Sequence, residues 1–261
     1  RAVSSDFLAT FADVGAGDCI LLQQGGVTWL VDTGPADAWP QVEQTLNDRG
    51  IVRIDRLVLT HMHADHVGNL KKVLERWPVG EVWISGGVTE TDAAAVCAVL
   101  DAAMLRTTRV FRRDTAMLGK AEVVVLSPWH DTVYAEQNYA SVMMRIRFAG
   151  RSLLLTGDAQ LEADMAVWEG RDELRIDADV LKAGHHGMMN GTAYPFARAV
   201  GAETAVVSCG AVDKKATLAQ QTAETLQACG AKGIYATGGN GNVTICISTD
   251  GNLQIEGTRV R

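Results

Sequence analysis

The amino-acid sequence predicts an α/β protein in which two mixed β-sheets form a sandwich with helices outside. Three features carry that expectation. Short apolar runs separated by glycine turns open and close the chain, and between them strand-like and helix-spaced segments alternate in a β-α-β rhythm. The chain also has 261 residues, 47% hydrophobic and 21% charged, enough for one generous core, and it reads as a single domain over 1–261.

The expected elements follow in order. Strands over 7–14, 19–23 and 27–31 make a meander, broken at Gly15-Ala16-Gly17-Asp18 and ending in Asp32-Thr33-Gly34-Pro35. Residues 39–48 carry helical spacing and stop near Gly50; a strand follows over 56–60, then a helix over 67–77 closed by Pro78. A strand over 81–84, an alanine-rich helix over 91–105 and a strand over 109–112 continue the rhythm. Strands are expected over 121–126 and 141–148, the second alternating Val142, Met144, Ile146 and Phe148 with Met143, Arg145 and Arg147. Ala149-Gly150-Arg151 turns that strand into a partner over 152–156. Helices over 161–170, 193–200 and 218–229 alternate with strands over 178–183, 204–208 and 233–236, and a meander over 243–247 and 253–255 closes the chain. No internal repeat or linker divides it.

Composition narrows the function. No apolar run approaches the roughly 20 residues that cross a bilayer, and no signal-peptide pattern is present. The first residue, Arg1, leaves room for an upstream leader, membrane region or tag. The five cysteines (Cys19, Cys97, Cys209, Cys229, Cys246) lack C-x-x-C spacing and are expected as buried small hydrophobes. A net charge of -7 disfavours broad, passive nucleic-acid binding through a basic face, and it leaves room for a nuclease, since divalent ions supply positive charge where phosphates would dock. Arg145, Arg147 and Arg151 are expected on a solvated sheet edge, and Lys214 and Lys215 as a solvated pair.

The chemistry concentrates in His61-Met62-His63-Ala64-Asp65-His66, four potential metal ligands directly after the 56–60 strand. On an uninterrupted helix the four would splay around the axis, and on an uninterrupted strand His66 would face away from the others. A strand end turning into a helix lets His61 and His63 address one ion while Asp65 and His66 address a neighbour, as a two-metal hydrolase requires. Imidazole and carboxylate donors suit first-row transition metals, and no adjacent cysteine closes a structural zinc site.

This H-x-H-x-D-H sequence after a strand resembles the signature of the metallo-β-lactamase superfamily, whose fold is an αββα sandwich. Asp13-Val14-Gly15-Ala16-Gly17-Asp18, Thr156-Gly157-Asp158, Leu181-Lys182-Ala183-Gly184-His185-His186-Gly187 and Asn138 before the 141–148 strand further resemble the metallo-hydrolase domain of ComEC-type DNA-uptake competence proteins. The resemblance covers roughly residues 7–208. It implies that Asp158 bridges two divalent ions, zinc or manganese, with His61 and His63 on the first and Asp65, His66 and His185 on the second. It also implies that Asp32 orients a ligand imidazole, that His186 donates a hydrogen bond or proton near the substrate, and that Asp18 or Lys182 organises the substrate.

Asn138 stands where most of the superfamily supplies a third histidine to the first ion. Such a site shifts the expectation toward manganese or a single occupied position. His130, the only histidine between the hexapeptide and Asp158, is expected as a loop residue. Met62 replaces a common proline, Met188 a common serine, and 208–215 lacks the Asn and Gly-His-Pro elements of the branch. The function implied is metal-dependent phosphodiester hydrolysis on DNA or a nucleotide. Lactone, thioester or β-lactam hydrolysis and a catalytically weakened DNA-binding accessory domain are the alternatives. The resemblance favours an extracytoplasmic or cell-surface setting and association with a membrane channel, and no stable protein partner follows from the sequence.

Overall fold

The computed structural model describes residues 4–211 and 217–259. The first half opens with an antiparallel meander of β1 (Phe7–Phe11), β2 (Ile20–Gln24) and β3 (Val27–Val31). Crossover helices then add parallel strands to it. Helix α1 (Trp39–Asp48) leads to β4 (Ile54–Leu59), α2 (Ala64–Val67) and α3 (Leu70–Arg76) lead to β5 (Val79–Ser85), and α4 (Glu90–Ala102) leads to β6 (Thr107–Val110).

The second half repeats this plan. Strands β7 (Thr115–Leu118), β8 (Ala121–Ser127), β9 (Met143–Phe148) and β10 (Arg151–Leu155) are antiparallel. Helices α5 (Leu161–Glu169), α6 (Tyr194–Val200) and α7 (Gln220–Ala228) then connect the parallel strands β11 (Val180–Lys182), β12 (Thr204–Val207) and β13 (Gly233–Ala236). After the short helix α8 (Thr237–Asn240), β14 (Val243–Ile247) and β15 (Leu253–Gly257) return to the first sheet, with β14 against β1. The sheet orders are β15-β14-β1-β2-β3-β4-β5-β6 and β13-β12-β11-β10-β9-β8-β7.

Period-two alternation decides which side chains fill the space between the sheets. Phe7, Ala9, Phe11, Trp29 and Val31 from the first sheet meet Val123, Met144, Ile146, Leu153 and Leu155 from the second. The opposite faces are covered by helices. Leu30, Leu57 and Leu59 pack with Val42, Leu46 and Val73, while Leu154, Leu181 and Ala205 pack with Val167, Phe196 and Leu226. The αββα sandwich expected from the chain is the observed architecture, and both metal-motif segments leave their sheets at the C-terminal ends of parallel strands.

The structure corrects several local expectations. The helix expected over 67–77 starts at Leu70, after the separate short α2, and between them the Asn69 amide donates to the carbonyls of Thr33 (3.1 Å) and Pro35 (2.6 Å). The four-residue β7 and α8 are too short to carry a periodicity and are additions. The arginine hairpin lies inside the second sheet, with Arg145, Arg147 and Arg151 paired to Asp177 (3.3 Å), Glu122 (3.5 Å) and Asp179 (2.8 Å). All five cysteines are free, with Cys19, Cys209 and Cys229 buried. Lys214 and Lys215 lie outside the described residues, and among those described no helix is long and apolar enough to cross a membrane.

Candidate metal centre

Strand β4 ends at Leu59, and the chain passes through Thr60, His61, Met62 and His63 before α2 starts at Ala64. The strand-to-helix turn expected from the ligand spacing is present. It buries His61 and His66 while His63 stays exposed and Asp65 half-buried. The loop carrying Gly17 packs on this turn. A Cβ on Gly17 (φ +148°) would lie 2.4 Å from the Asp65 carbonyl oxygen, so the close approach requires glycine.

Four groups converge. His66 Nε2 lies 3.3 Å and His186 Nε2 3.1 Å from Asp158 Oδ2, and Asp65 Oδ2 lies 3.2 Å from His186 Nε2. One ligand atom from each of Asp65, His66, Asp158 and His186 falls within 4.8 Å of every other. His61 and His63 form an adjacent pair outside this group of four, with His61 Nε2 3.1 Å from His63 Nδ1 and the His61 and His66 rings 4.2 Å apart.

The histidines present Nε2 because their Nδ1 atoms are engaged elsewhere. His66 Nδ1–H donates to Asp32 Oδ2 (2.7 Å) and His186 Nδ1–H to the Ser208 carbonyl (3.0 Å). Asp32 also reaches His61 through Thr60. The Thr60 hydroxyl donates to Asp32 Oδ2 (2.7 Å), its amide donates to Asp32 Oδ1 (2.8 Å), and its oxygen lies 3.1 Å from His61 Nδ1. An acceptor behind each ring nitrogen is the arrangement that fixes tautomer and orientation in metal-binding histidines. One carboxylate thus supports two imidazoles, where the sequence suggested one.

The adjacent histidines exchange the places expected of them. His186, not His185, joins the cluster, because both residues take left-handed backbone angles (φ +45° and +55°) and the turn swings their side chains apart. His185 instead has Nδ1 2.7 Å from Asn190 Oδ1 and Nε2 3.4 Å from Asn138 Nδ2. Asn138 is therefore next to His185, and its buried Oδ1 has no hydrogen-bond partner. His130 stacks on Phe111 at 3.8 Å, away from the cluster.

Asp18 and Lys182 do not face a substrate. Both side chains are sealed from solvent, and the Lys182 ammonium meets Asp18 Oδ2 at 2.5 Å and the Gly157 carbonyl at 2.7 Å, with Asp158 Oδ1 at 3.9 Å. They brace the segment that carries Asp158 from behind. Ser141 adds to that support by accepting the Asp158 amide at 3.2 Å, a contact with no sequence signal.

Charge is finely set here. Burial works against protonation of His66 and His186, but Asp158 and Asp32 hold the first well above its ordinary range, and Asp158 and Asp65 hold the second up to about 9. Burial would raise both carboxyls, yet the imidazoles keep Asp158 well below its ordinary value and Asp65 down to about 2. Burial, then the neighbouring His66, leaves His61 neutral. Buried Asp158 Oδ1 and His66 Nε2 have no hydrogen-bond partner. Mixed nitrogen and oxygen donors, two of them orphaned, fit a divalent ion of the first transition row.

Comparison with known proteins agrees with the geometry. The chain is 28% identical over 229 residues to ComE operon protein 3 of Bacillus subtilis, covering 80% of this chain and 29% of that protein. It is 28% identical over 202 residues to Competence protein ComA of Neisseria gonorrhoeae, covering 77% and 27%. It therefore spans less than a third of either relative. Among solved structures, the metallo-beta-lactamase fold protein YhfI of Bacillus subtilis superposes with a TM-score of 0.59 at 14% identity, covering 96% of this chain and 100% of that one. The family model described as "Metallo-beta-lactamase superfamily" matches residues 12–211, and the chain belongs to that superfamily of metal-dependent hydrolases.

Proposed function

We propose that this protein is a metal-dependent phosphodiesterase acting on DNA or a nucleotide. The observation that carries the reading is the buried Asp158 carboxylate, set between His66 and His186 with one oxygen orphaned, at the end of a strand beside the H-x-H-x-D-H turn. Asp65, His66, Asp158 and His186 would hold one ion, and His61 and His63 with Asp158 a second. When bound, such ions neutralise charge on phosphoryl oxygens and lower the pKa of water from about 15.7 toward 7. Asp32 keeps His66 and, through Thr60, His61 presenting Nε2, and Lys182 holds the Gly157-Asp158 peptide in place. His185, oriented by Asn190, stands at the cluster's edge with Nε2 3.4 Å from Asn138 Nδ2, and a substrate group would displace that amide to reach it.

The similarity to competence proteins supports a nucleic-acid substrate, and association with a membrane channel in an extracytoplasmic setting is part of the same proposal. Metal analysis joined to hydrolysis of bis-p-nitrophenyl phosphate and single-stranded DNA tests it, in manganese or zinc, with Asp158→Ala and His186→Ala as controls. Metal-dependent turnover lost in both variants supports the reading. Bound metal with lactone or thioester turnover, and none on phosphodiesters, overturns it.

A further inference from the structure

A cavity of about 530 Å³ opens between the loop that follows β8 and the exposed side of α5. Trp129, Tyr134 and Tyr139 give it aromatic walls, Val133 an apolar rim, and Glu162 and Glu169 a charged side. Its volume falls within the roughly 300–1,000 Å³ of small-molecule sites. The walls are held in place, since the Trp129 amide donates to the Tyr134 hydroxyl (2.8 Å) and the Arg112 guanidinium sits 4.4 Å from the Trp129 ring centre.

Two chains of neighbouring residues link the cavity lining to His185, at the edge of the metal centre. Tyr139 follows Asn138, which lies 3.4 Å from His185. Glu162 follows Leu161, whose amide donates to the Asn190 carbonyl (3.0 Å), and Asn190 also contacts His185. Helix α5 itself begins just after Asp158.

Charge restricts what can enter. Glu173 at the rim is paired with Arg113 (2.6 Å) and Arg112 (3.4 Å), whereas Glu162 and Glu169 make no ion pair among the described residues. Burial, then the charges of Glu162 and Glu136 and a hydrogen bond to Glu162, raises the Tyr139 hydroxyl above its ordinary range. A phosphate is repelled from this lining. A purely apolar group would leave the carboxylates unused. A flat ring carrying N–H donors meets both the aromatic walls and the carboxylates.

We propose that this cavity is a nucleobase subsite, which holds the base of a phosphodiester substrate while the phosphate lies at the metal cluster. The proposal rests on the phosphodiesterase reading above. Bases removed from a stack are read by aromatic stacking and by hydrogen bonds to their Watson–Crick edge. Guanine presents N1–H and the N2 amino group side by side, a donor pair that matches the two oxygens of one carboxylate. Cytosine and adenine present one amino group. Uracil and thymine flank a single N–H with two carbonyl oxygens that oppose a carboxylate, so the expected order is guanine, then cytosine and adenine, then uracil or thymine.

Calorimetric binding of guanosine, uridine and tetramethylammonium to the metal-loaded protein tests the subsite, alongside hydrolysis of bis-p-nitrophenyl phosphate, which has no base. Guanosine binding about 10-fold or more tighter than uridine, with that ratio collapsing in Glu162→Gln or Glu169→Gln, supports it, as loss of a hydrogen bond to a charged group predicts. Both glutamates are exposed, so these substitutions leave packing intact. Equal nucleoside affinities with bis-p-nitrophenyl phosphate still hydrolysed would overturn the subsite and leave the phosphodiesterase reading standing. Selective guanosine binding without phosphodiester turnover would do the reverse. Binding of tetramethylammonium with no nucleoside binding also overturns the subsite, and makes the cavity a cation cage.

Discussion

Lys182 and Asp18 form an ion pair sealed inside the protein, ammonium to carboxylate 2.5 Å, directly behind the carboxylate of Asp158. Burial alone would strip the Lys182 proton, but Asp18 and Asp158 outweigh it and keep the ammonium above its usual pKa. Asp18 has no other hydrogen-bond donor among the described residues, so the pair stands or falls together.

Removing one partner is therefore costly. Lys182→Met leaves the buried Asp18 carboxylate uncompensated and is expected to lower stability by about 3–5 kcal/mol, whereas Asp18→Asn with Lys182→Met recovers most of the loss. Urea unfolding of the two single variants and the double variant measures the coupling, and additive losses would show that the pair is not a unit.

Asp32 stands outside the four converging groups, yet its carboxylate holds His66 directly and, through Thr60, His61. Asp32→Ala is expected to weaken metal binding by about 10–100-fold, the usual cost of losing the group behind a ligand imidazole. Titration calorimetry with manganese or zinc decides it, and an unchanged affinity would remove Asp32 from the metal centre.

The placement of the adjacent histidines gives a second separable test. His186→Ala is expected to lose metal content, because it deletes one of the four converging groups, while His185→Ala keeps the metal. Elemental analysis of the two purified variants is sufficient. Retention in the first and loss in the second would return the ligand role to His185.

Asp164 on α5 carries a pH signature independent of the metal centre. It is buried, its Oδ2 accepts the Ala193 amide at 2.9 Å, and burial raises its carboxyl pKa well above the ordinary 3.8. A raised carboxyl pKa means that the folded state binds the extra proton, so its contribution is full below about 3.8 and is lost as pH rises through the folded value. Asp164→Asn keeps the acceptor and cannot ionise. Thermal unfolding should show the variant gaining on the parent protein by up to about 1.4 kcal/mol per pH unit above pH 4, levelling off past the folded pKa. A gap that does not change with pH would mean that Asp164 stays ionised in the folded protein.

By itself the sequence determined the architecture and the neighbourhood of the chemistry. Apolar alternation and glycine turns gave most strands their place, and the packing of five of the six histidines into two short segments at strand ends announced a metal centre. Those signals are local, set by period and spacing, and survive without knowledge of neighbours. What only the tertiary structure decided depends on direction and distance between remote segments. Two consecutive left-handed residues chose His186 over His185, a distinction invisible in a pair of identical side chains. Complete burial turned Asp18 and Lys182 from groups expected to meet a substrate into an internal brace, and placement inside a sheet turned the arginine hairpin from an edge into a paired surface. Thr60, Ser141 and Asn190 entered the site only through hydrogen bonds that folding brings within reach, because a lone hydroxyl or amide has no pattern in one dimension.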